Sequence, residues 1–287
     1  MLNIKKISPQ NSEFLQRLQD IDTPPKCLWY VGKLPSRQPT VAIVGSRKPT
    51  SYGRAINIQI TSELAQHGVV IVSGLAIGHD GLAHQACLDA GGTTIAVLGS
   101  GLEHIYPARN HNLANSIIEN GGVLISEYEP TMPVLPHQFL ERNRLISGLA
   151  DIVIVIEAGE RSGTLNTASH ALVQGRDIMA VPGNITSPLS RGCNQLIAQG
   201  ATPLLSAQDV LDRLHITTAQ PTERDTKIHF DSPDAQLVYN LILDDITDGD
   251  QLLEQSRLAV SEFTMALTML ELNGYIQPLG GNKWGRK

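Results

Sequence analysis

The chain is poor in cysteine. Its 287 residues include Cys27, Cys87 and Cys193, far apart and with no C-x-x-C pair. Neither a disulfide framework nor a zinc knuckle is built from so few. No apolar run approaches the ~18 residues of a membrane span, and the lysines near the amino terminus have no apolar segment behind them. A reducing cytoplasm is the expected compartment, with no membrane partner. A positive excess is missing too. The formal charge is -6, which argues against indiscriminate binding to nucleic acid. A local basic groove stays possible, because salt confines surface fields to about 10 Å. With 41% hydrophobic and 17% charged residues, the composition is that of a globular protein with a full core and room for a small second domain.

What the chain does have is a series of short apolar runs alternating with helical patterns. The runs are Val41–Val44, Val69–Val72, Thr94–Leu98, Val123–Ile125, Ile152–Ile156 and Ile178–Val181, with a weaker one at Thr202–Leu205. Continuous apolar character predicts strands covered on both faces, hence a doubly wound, mainly parallel α/β sheet. Segments such as Arg54–His67 and Leu113–Glu119 repeat apolar residues at helical spacing.

This places an α/β domain at 40–214. Residues 1–39 are too short for a domain and form an expected lead-in, with one helix over Phe14–Asp20. A polar linker follows at 215–232. Helical periodicity at Asp234–Leu243, Gln251–Gln255 and Ser261–Leu272, with Ser261 as cap, Asn273-Gly274 as stop and a ribbon to Trp284, predicts a winged-helix-like unit at 233–287. Its third helix offers Glu262, Thr264, Thr268 and Glu271 where a duplex reader carries basic or amide side chains. Protein contact or dimer support suits it better.

Every unusual motif follows a strand. Gly45-Ser46-Arg47 closes the first run at the opening of a helix, where amides and the helix dipole hold anions. The third glycine of a dinucleotide fingerprint is absent and an arginine is added, so this turn suits a phosphate that also needs a guanidinium. Arg142-Asn143-Arg144, preceded by Phe139, could stack a base and take phosphates; equally, Phe139 could be core and the arginines could pair with Glu141 or Asp151. Arg161-Ser162-Gly163-Thr164 opens another helix, either as an anion nest or merely as an N-cap by Ser162 or Thr164. Loops after parallel strands gather at one sheet edge, and several nests in a row favour a polynucleotide backbone over a mononucleotide. Asp80, His84 and Cys87 share a helix face beside His79, but no paired ligands support a metal and Asp80 suits a helix start. No Gly-x-Ser-x-Gly elbow is present. Glu157 and Glu160 read as caps or ion-pair partners rather than as an acid pair.

Taken in order, Val41-Ala-Ile-Val-Gly-Ser-Arg47, Val72-Ser-Gly-Leu-Ala76 with Asp80 and Ala83-His84, Ile95-Ala-Val-Leu-Gly99, Ile125-Ser-Glu-Tyr128, Arg142-Asn-Arg-Leu-Ile146, Glu157-Ala-Gly-Glu-Arg-Ser-Gly-Thr164, Val181-Pro-Gly183 and Ser190-Arg-Gly-Cys-Asn194 closely resemble the DNA-processing protein A (DprA/Smf) family. The resemblance spans about residues 24–211. The residues themselves lead to no expected catalytic activity, cofactor or metal, and the resemblance implies an extended Rossmann-like domain that binds single-stranded DNA without sequence preference. It also implies a homodimer that protects incoming strands in natural transformation and helps load a RecA-type recombinase. To single-stranded DNA it assigns Ser46, Arg47, Phe139, Arg142, Asn143, Arg144, Arg161, Ser162 and Gly163, and the turns read above add Gly45, Gly74 and Thr164. Many members add an N-terminal SAM-like domain, for which residues 1–39 leave no room. His79 and Gly81 replace an apolar and a small residue, and Glu141 a basic residue or proline. The alternative from the enzyme class, a nucleotide phosphoribohydrolase of the Lonely Guy type, wants an acid after its Gly-Thr; here Leu165-Asn166 follows Gly163-Thr164.

Overall fold

A computed structural model of the chain describes residues 3–216, 230, 232–244 and 246–286. The chain divides into two compact units, Met1–Thr218 and Ala219–Lys287. In the first, the strands are β1 (Lys5–Ile7), β2 (Leu28–Gly32), β3 (Thr40–Val44), β4 (Val70–Ser73), β5 (Thr94–Leu98), β6 (Val123–Ser126), β7 (Ile152–Val155), β8 (Asp177–Ala180) and β9 (Thr202–Pro203). Among the described residues they make one sheet of nine strands in the order β1-β2-β6-β5-β4-β3-β7-β8-β9. Strands β3 to β9 pair in parallel, while β1 and β2 extend one edge antiparallel.

The helices are α1 (Ser51–Gln66), α2 (His79–Asp89), α3 (His111–Glu119), α4 (Gln138–Leu149), α5 (Gly163–Val173), α6 (Arg191–Ala198) and α7 (Ala207–Arg213). Side chains alternate across a strand, so β3 sends Val41 and Ile43 to one face and Ala42 and Val44 to the other. The first face packs on α1, α2 and α7, with α3 covering the Ala96, Leu98 and Leu124 end. The second packs on α4, α5 and α6. Every residue of β3, β4, β5, β6 and β7 is buried, which is why these strands read as unbroken apolar runs.

The first residues are more than a lead-in, because β1 and β2 belong to the sheet. Phe14, Leu15, Leu18 and Leu28 are buried in the same cluster as α4 and α5. The helix expected at Phe14–Asp20 is a 3-10 turn, Leu15–Leu18. That winding already buries Leu15 and Leu18, and no longer apolar stripe rewards extension. Helix α1 starts at Ser51, ahead of Arg54, because the Thr50 hydroxyl accepts the Gly53 amide at 3.0 Å.

The second unit holds α8 (Pro233–Leu243), α9 (Gly249–Ser256), α10 (Val260–Leu272) and an antiparallel hairpin of β10 (Ile276–Gly280) and β11 (Lys283–Arg286). Val238, Tyr239, Leu252, Phe263, Leu267 and Leu270 centre its core. Helix α10 begins one residue before Ser261, with the Glu262 carboxylate accepting the Ala259 amide at 3.0 Å. Most of the expected linker 215–232 lies outside the described residues. Among the described residues, no helix is long and apolar enough to cross a membrane.

Candidate functional site

From β3 the chain winds outward through β4, β5 and β6, then returns over α4 to place β7 on the other side of β3. A crevice opens where the winding reverses, at the carboxyl ends of the strands. The turn after β3 and the loop after β7 form its walls, and α4 crosses it. The result is a cavity of about 740 Å³ lined by Gly45, Ser46, Arg47, Phe139, Arg142, Asn143, Arg161, Ser162, Gly163 and Thr164, together with Lys48 and Asp80. Residues from four distant stretches of sequence are thus brought together. Gly74 lies at an adjoining hollow. Arg144 does not reach either.

The Gly45–Arg47 turn is clamped from both sides. The Ser46 amide donates to the Glu157 carbonyl at 2.8 Å, and the His79 amide donates to the Ser46 carbonyl at 3.3 Å. A Cβ on Gly45 would lie 2.5 Å from the His79 ring, so close approach requires glycine here. Beneath the turn runs a buried polar chain. The Asn57 amide group donates to the His79 carbonyl at 3.1 Å and sits 2.9 Å from His79 Nδ1. Nδ1 therefore accepts, Nε2 carries the proton, and it donates to Glu157 Oε2 at 3.0 Å. Burial holds the His79 pKa below the ordinary imidazole value, although Glu157 pulls the other way. The imidazole is neutral and positions the turn. Glu157 also takes the Thr50 amide at 2.9 Å and the Thr50 hydroxyl at 2.5 Å. It is committed to structure, and Glu160 pairs with Arg191 at 3.4 Å.

The two arginines of the Arg-Asn-Arg stretch take different directions, because residues two apart on a helix face nearly opposite sides. Arg142 is 4% exposed. Its Nη1 donates to the Gly74 carbonyl at 2.7 Å and to the Val97 carbonyl, so it ties two strand ends together under the cavity floor. A Cβ on Gly74 would meet its guanidinium at 2.6 Å, which gives Gly74 its part. Burial lowers the Arg142 pKa to about 10, with the nearby Asp80 opposing the shift. Burial likewise raises Asp80, against Arg142 and the Gly74 amide it accepts at 3.1 Å. Arg144 turns its guanidinium to Glu127, at 2.7 and 2.8 Å from the two carboxylate oxygens, with 13% of its side chain exposed. It lines a separate hollow with Asp22, His170 and Gln174. Neither Glu141 nor Asp151 is the partner the sequence pointed to. Glu141 accepts from the Tyr128 hydroxyl at 2.8 Å, and Asp151 accepts from Arg17 and the Thr40 amide. Asn143 joins α4 to α5 through Asn166 Oδ1 at 3.2 Å.

Three exposed cations remain at the rim: Arg47, Lys48 and Arg161. None has an ion-pair partner among the described residues. Arg47 stands over the Phe139 ring, 6.0 Å from its centroid, within cation–π range. Ser162 is the N-cap of α5 and accepts the Thr164 amide at 3.2 Å. Capping and the positive helix end coexist there. Lys48 was missed by the sequence reading; its place next to Arg47 in the same turn was the available signal.

His79, Asp80, His84 and Cys87, weighed above as metal ligands, are each engaged elsewhere. His79 and Asp80 are engaged as described. The Thr94 hydroxyl gives its proton to the Ile71 carbonyl at 2.9 Å, so His84 Nδ1 donates to it at 2.7 Å. Burial first, and the Arg142 charge second, lower His84 to about 3. Burial also pushes the Cys87 thiol up to about 12.

Comparison with known proteins follows the same lines. Residues 5–215 match a family described as DNA recombination-mediator protein A, and residues 217–282 match a DprA winged helix domain. The chain is 39% identical over 287 residues to protein Smf of Escherichia coli K12, covering 95% of this chain and 75% of that protein. It is 45% identical over 195 residues to DNA processing protein DprA of Streptococcus pneumoniae, covering 68% of each. The X-ray structure of the latter superposes with a TM-score of 0.67 at 39% identity, over 73% of this chain and 74% of that one. DNA processing protein A of Helicobacter pylori, whose structure addresses its single-stranded DNA binding mode, gives 0.66 at 31% identity, over 75% and 96%.

Proposed function

Because the chain belongs to the DNA recombination-mediator protein A family, we propose that it grips single-stranded DNA in the cavity at the carboxyl ends of β3 and β7. One observation carries this reading. Arg47, Lys48 and Arg161 converge on one cavity without an ion-pair partner among the described residues. Cations left unpaired at a helix N-terminus are provision for phosphates. The cavity lies along an open rim, which suits a strand passing through rather than a nucleotide enclosed.

In this reading Arg47 and Arg161 take successive phosphates, Lys48 adds charge, and Phe139 holds the Arg47 guanidinium in place. Gly45, Ser46, Ser162, Gly163 and Thr164 shape the turns, while Gly74, Arg142 and Asn143 hold the floor and wall. Arg144 braces α4 from behind. The protein acts in the cytoplasm as a non-enzymatic homodimer, protects incoming strands, and hands them to a RecA-type recombinase. The family resemblance supports these last roles. Asp80, which lines the cavity, and Glu157 beneath the Gly45–Arg47 turn are buried and committed to hydrogen bonds, which supports binding over catalysis.

The test is a titration of labelled oligothymidine and of a duplex of equal length, with adenosine monophosphate incubated alongside. The single strand should bind more tightly and no free adenine should form. Equal retention of both nucleic acids, or adenine release, would overturn the proposal.

A further inference from the structure

The aromatic that sequence alone would offer to a base already has neighbours on several sides. Phe139 packs on Gly99, where a Cβ would lie 2.8 Å from its Cδ1. Its centroid is 5.4 Å from that of Tyr106, and Arg47 stands over the ring. Tyr106, by contrast, leaves 47% of its surface to solvent. Beside it opens a hollow of about 50 Å³, lined by Arg47, Gly74, Ile77, Tyr106, Pro107 and Phe139 among others. Ile77 is exposed next to it. Arg47 lines both this hollow and the main cavity.

The loop that carries Tyr106 is anchored to the same rim. Asn110 Nδ2 donates to the Leu75 and Ala76 carbonyls at 2.8 and 3.2 Å. Upstream, the Ser100 hydroxyl donates to the His104 carbonyl at 2.7 Å. An exposed aromatic held in place by such ties loses little freedom when a planar ligand stacks on it.

We propose that Tyr106, with Ile77 and the hollow beside them, is a nucleobase subsite, one step along the strand from the phosphate that meets Arg47. The hollow is too small for a whole ring. A base therefore lies on the Tyr106 face and inserts only its edge. Every base has a π-face, so the subsite tolerates any sequence. This inference rests on the single-strand reading above.

The test compares oligothymidine with an abasic oligomer of the same length and charge, by fluorescence anisotropy. Full-length protein is used, as wild type, Tyr106→Ala and Tyr106→Trp. Wild type should bind oligothymidine better than the abasic strand. Tyr106→Ala should weaken oligothymidine about ten-fold and leave abasic binding unchanged. Tyr106→Trp should keep the affinity and show indole quenching on oligothymidine beyond that of the native tryptophans. If wild type binds both strands alike, or Tyr106→Ala weakens both or neither, the subsite is refuted while the single-strand grip stands. If wild type binds neither strand, the grip itself fails and takes the subsite with it. Should Tyr106→Ala not fold, the abasic comparison and the Tyr106→Trp quench decide.

Discussion

Replacing Arg47 or Arg161 by alanine should flatten the salt dependence of single-strand binding, and replacing Arg144 should not. Three rim cations, Arg47, Lys48 and Arg161, lack ion-pair partners among the described residues. A single strand releases about 0.7 counterion per phosphate neutralised, so three contacts give a log–log slope of about -2. Between about 50 and 200 mM salt this is roughly an 18-fold loss of affinity. Removing one contact brings the slope to about -1.4 and the loss to roughly seven-fold. Arg144 spends its charge on Glu127 at 2.7 Å and lines a different hollow. Arg144→Ala should therefore keep the slope near -2. Its cost should fall on the fold, at about 1–3 kcal/mol, because a charged hydrogen-bonded partner is left behind. The assay is a titration of labelled oligothymidine at several salt concentrations, with urea unfolding of each variant alongside. An unaltered slope in Arg47→Ala and Arg161→Ala, or an equal flattening in Arg144→Ala, would refute the assignment of phosphates to the rim.

Two further outcomes follow from the buried groups. His84 stays neutral in the native state down to about pH 3, whereas an unfolded histidine takes its proton near pH 6.5. Below that value the unfolded chain binds more protons, so stability is whole above about pH 6.5 and declines as pH falls towards 3, by up to about 1.4 kcal/mol per pH unit for this group. His79, also lowered, adds in the same sense. Urea unfolding between pH 5 and 7 should show the decline, and His84→Gln should flatten it; an unchanged slope in the variant would count against the burial argument. Gly45→Ala would set a methyl 2.5 Å from a His79 ring that Asn57 and Glu157 hold in place. It should cost about 1–3 kcal/mol and weaken oligothymidine binding by displacing Arg47, and an unchanged melting temperature would contradict the clamp.

By itself the sequence determined the α/β architecture. Strands β3 to β7 are covered on both faces, so burial had to be written as unbroken apolar runs, and the turn residues marked where each run ended. It also determined that those turns meet, since parallel strands put all their carboxyl ends on one side. Three things were decided only in the folded chain. Strands β1 and β2 carry weak patterns because they are only partly covered, so their membership of the sheet depends on β6 being there to receive β2, and on β2 to receive β1. The fates of Arg142 and Arg144 depend on the rotation of α4 about its axis. That rotation is fixed by Leu145, Ile146 and Leu149 packing on the sheet, and it buries one guanidinium and turns the other to Glu127. Tyr106 gave no signal in its own stretch, because its exposure and its place beside Phe139 come from the Asn110 anchor on a turn some thirty residues earlier in the chain. Local pattern specifies elements because burial is periodic, whereas the aim of a charged side chain is set by distant partners that no local pattern records.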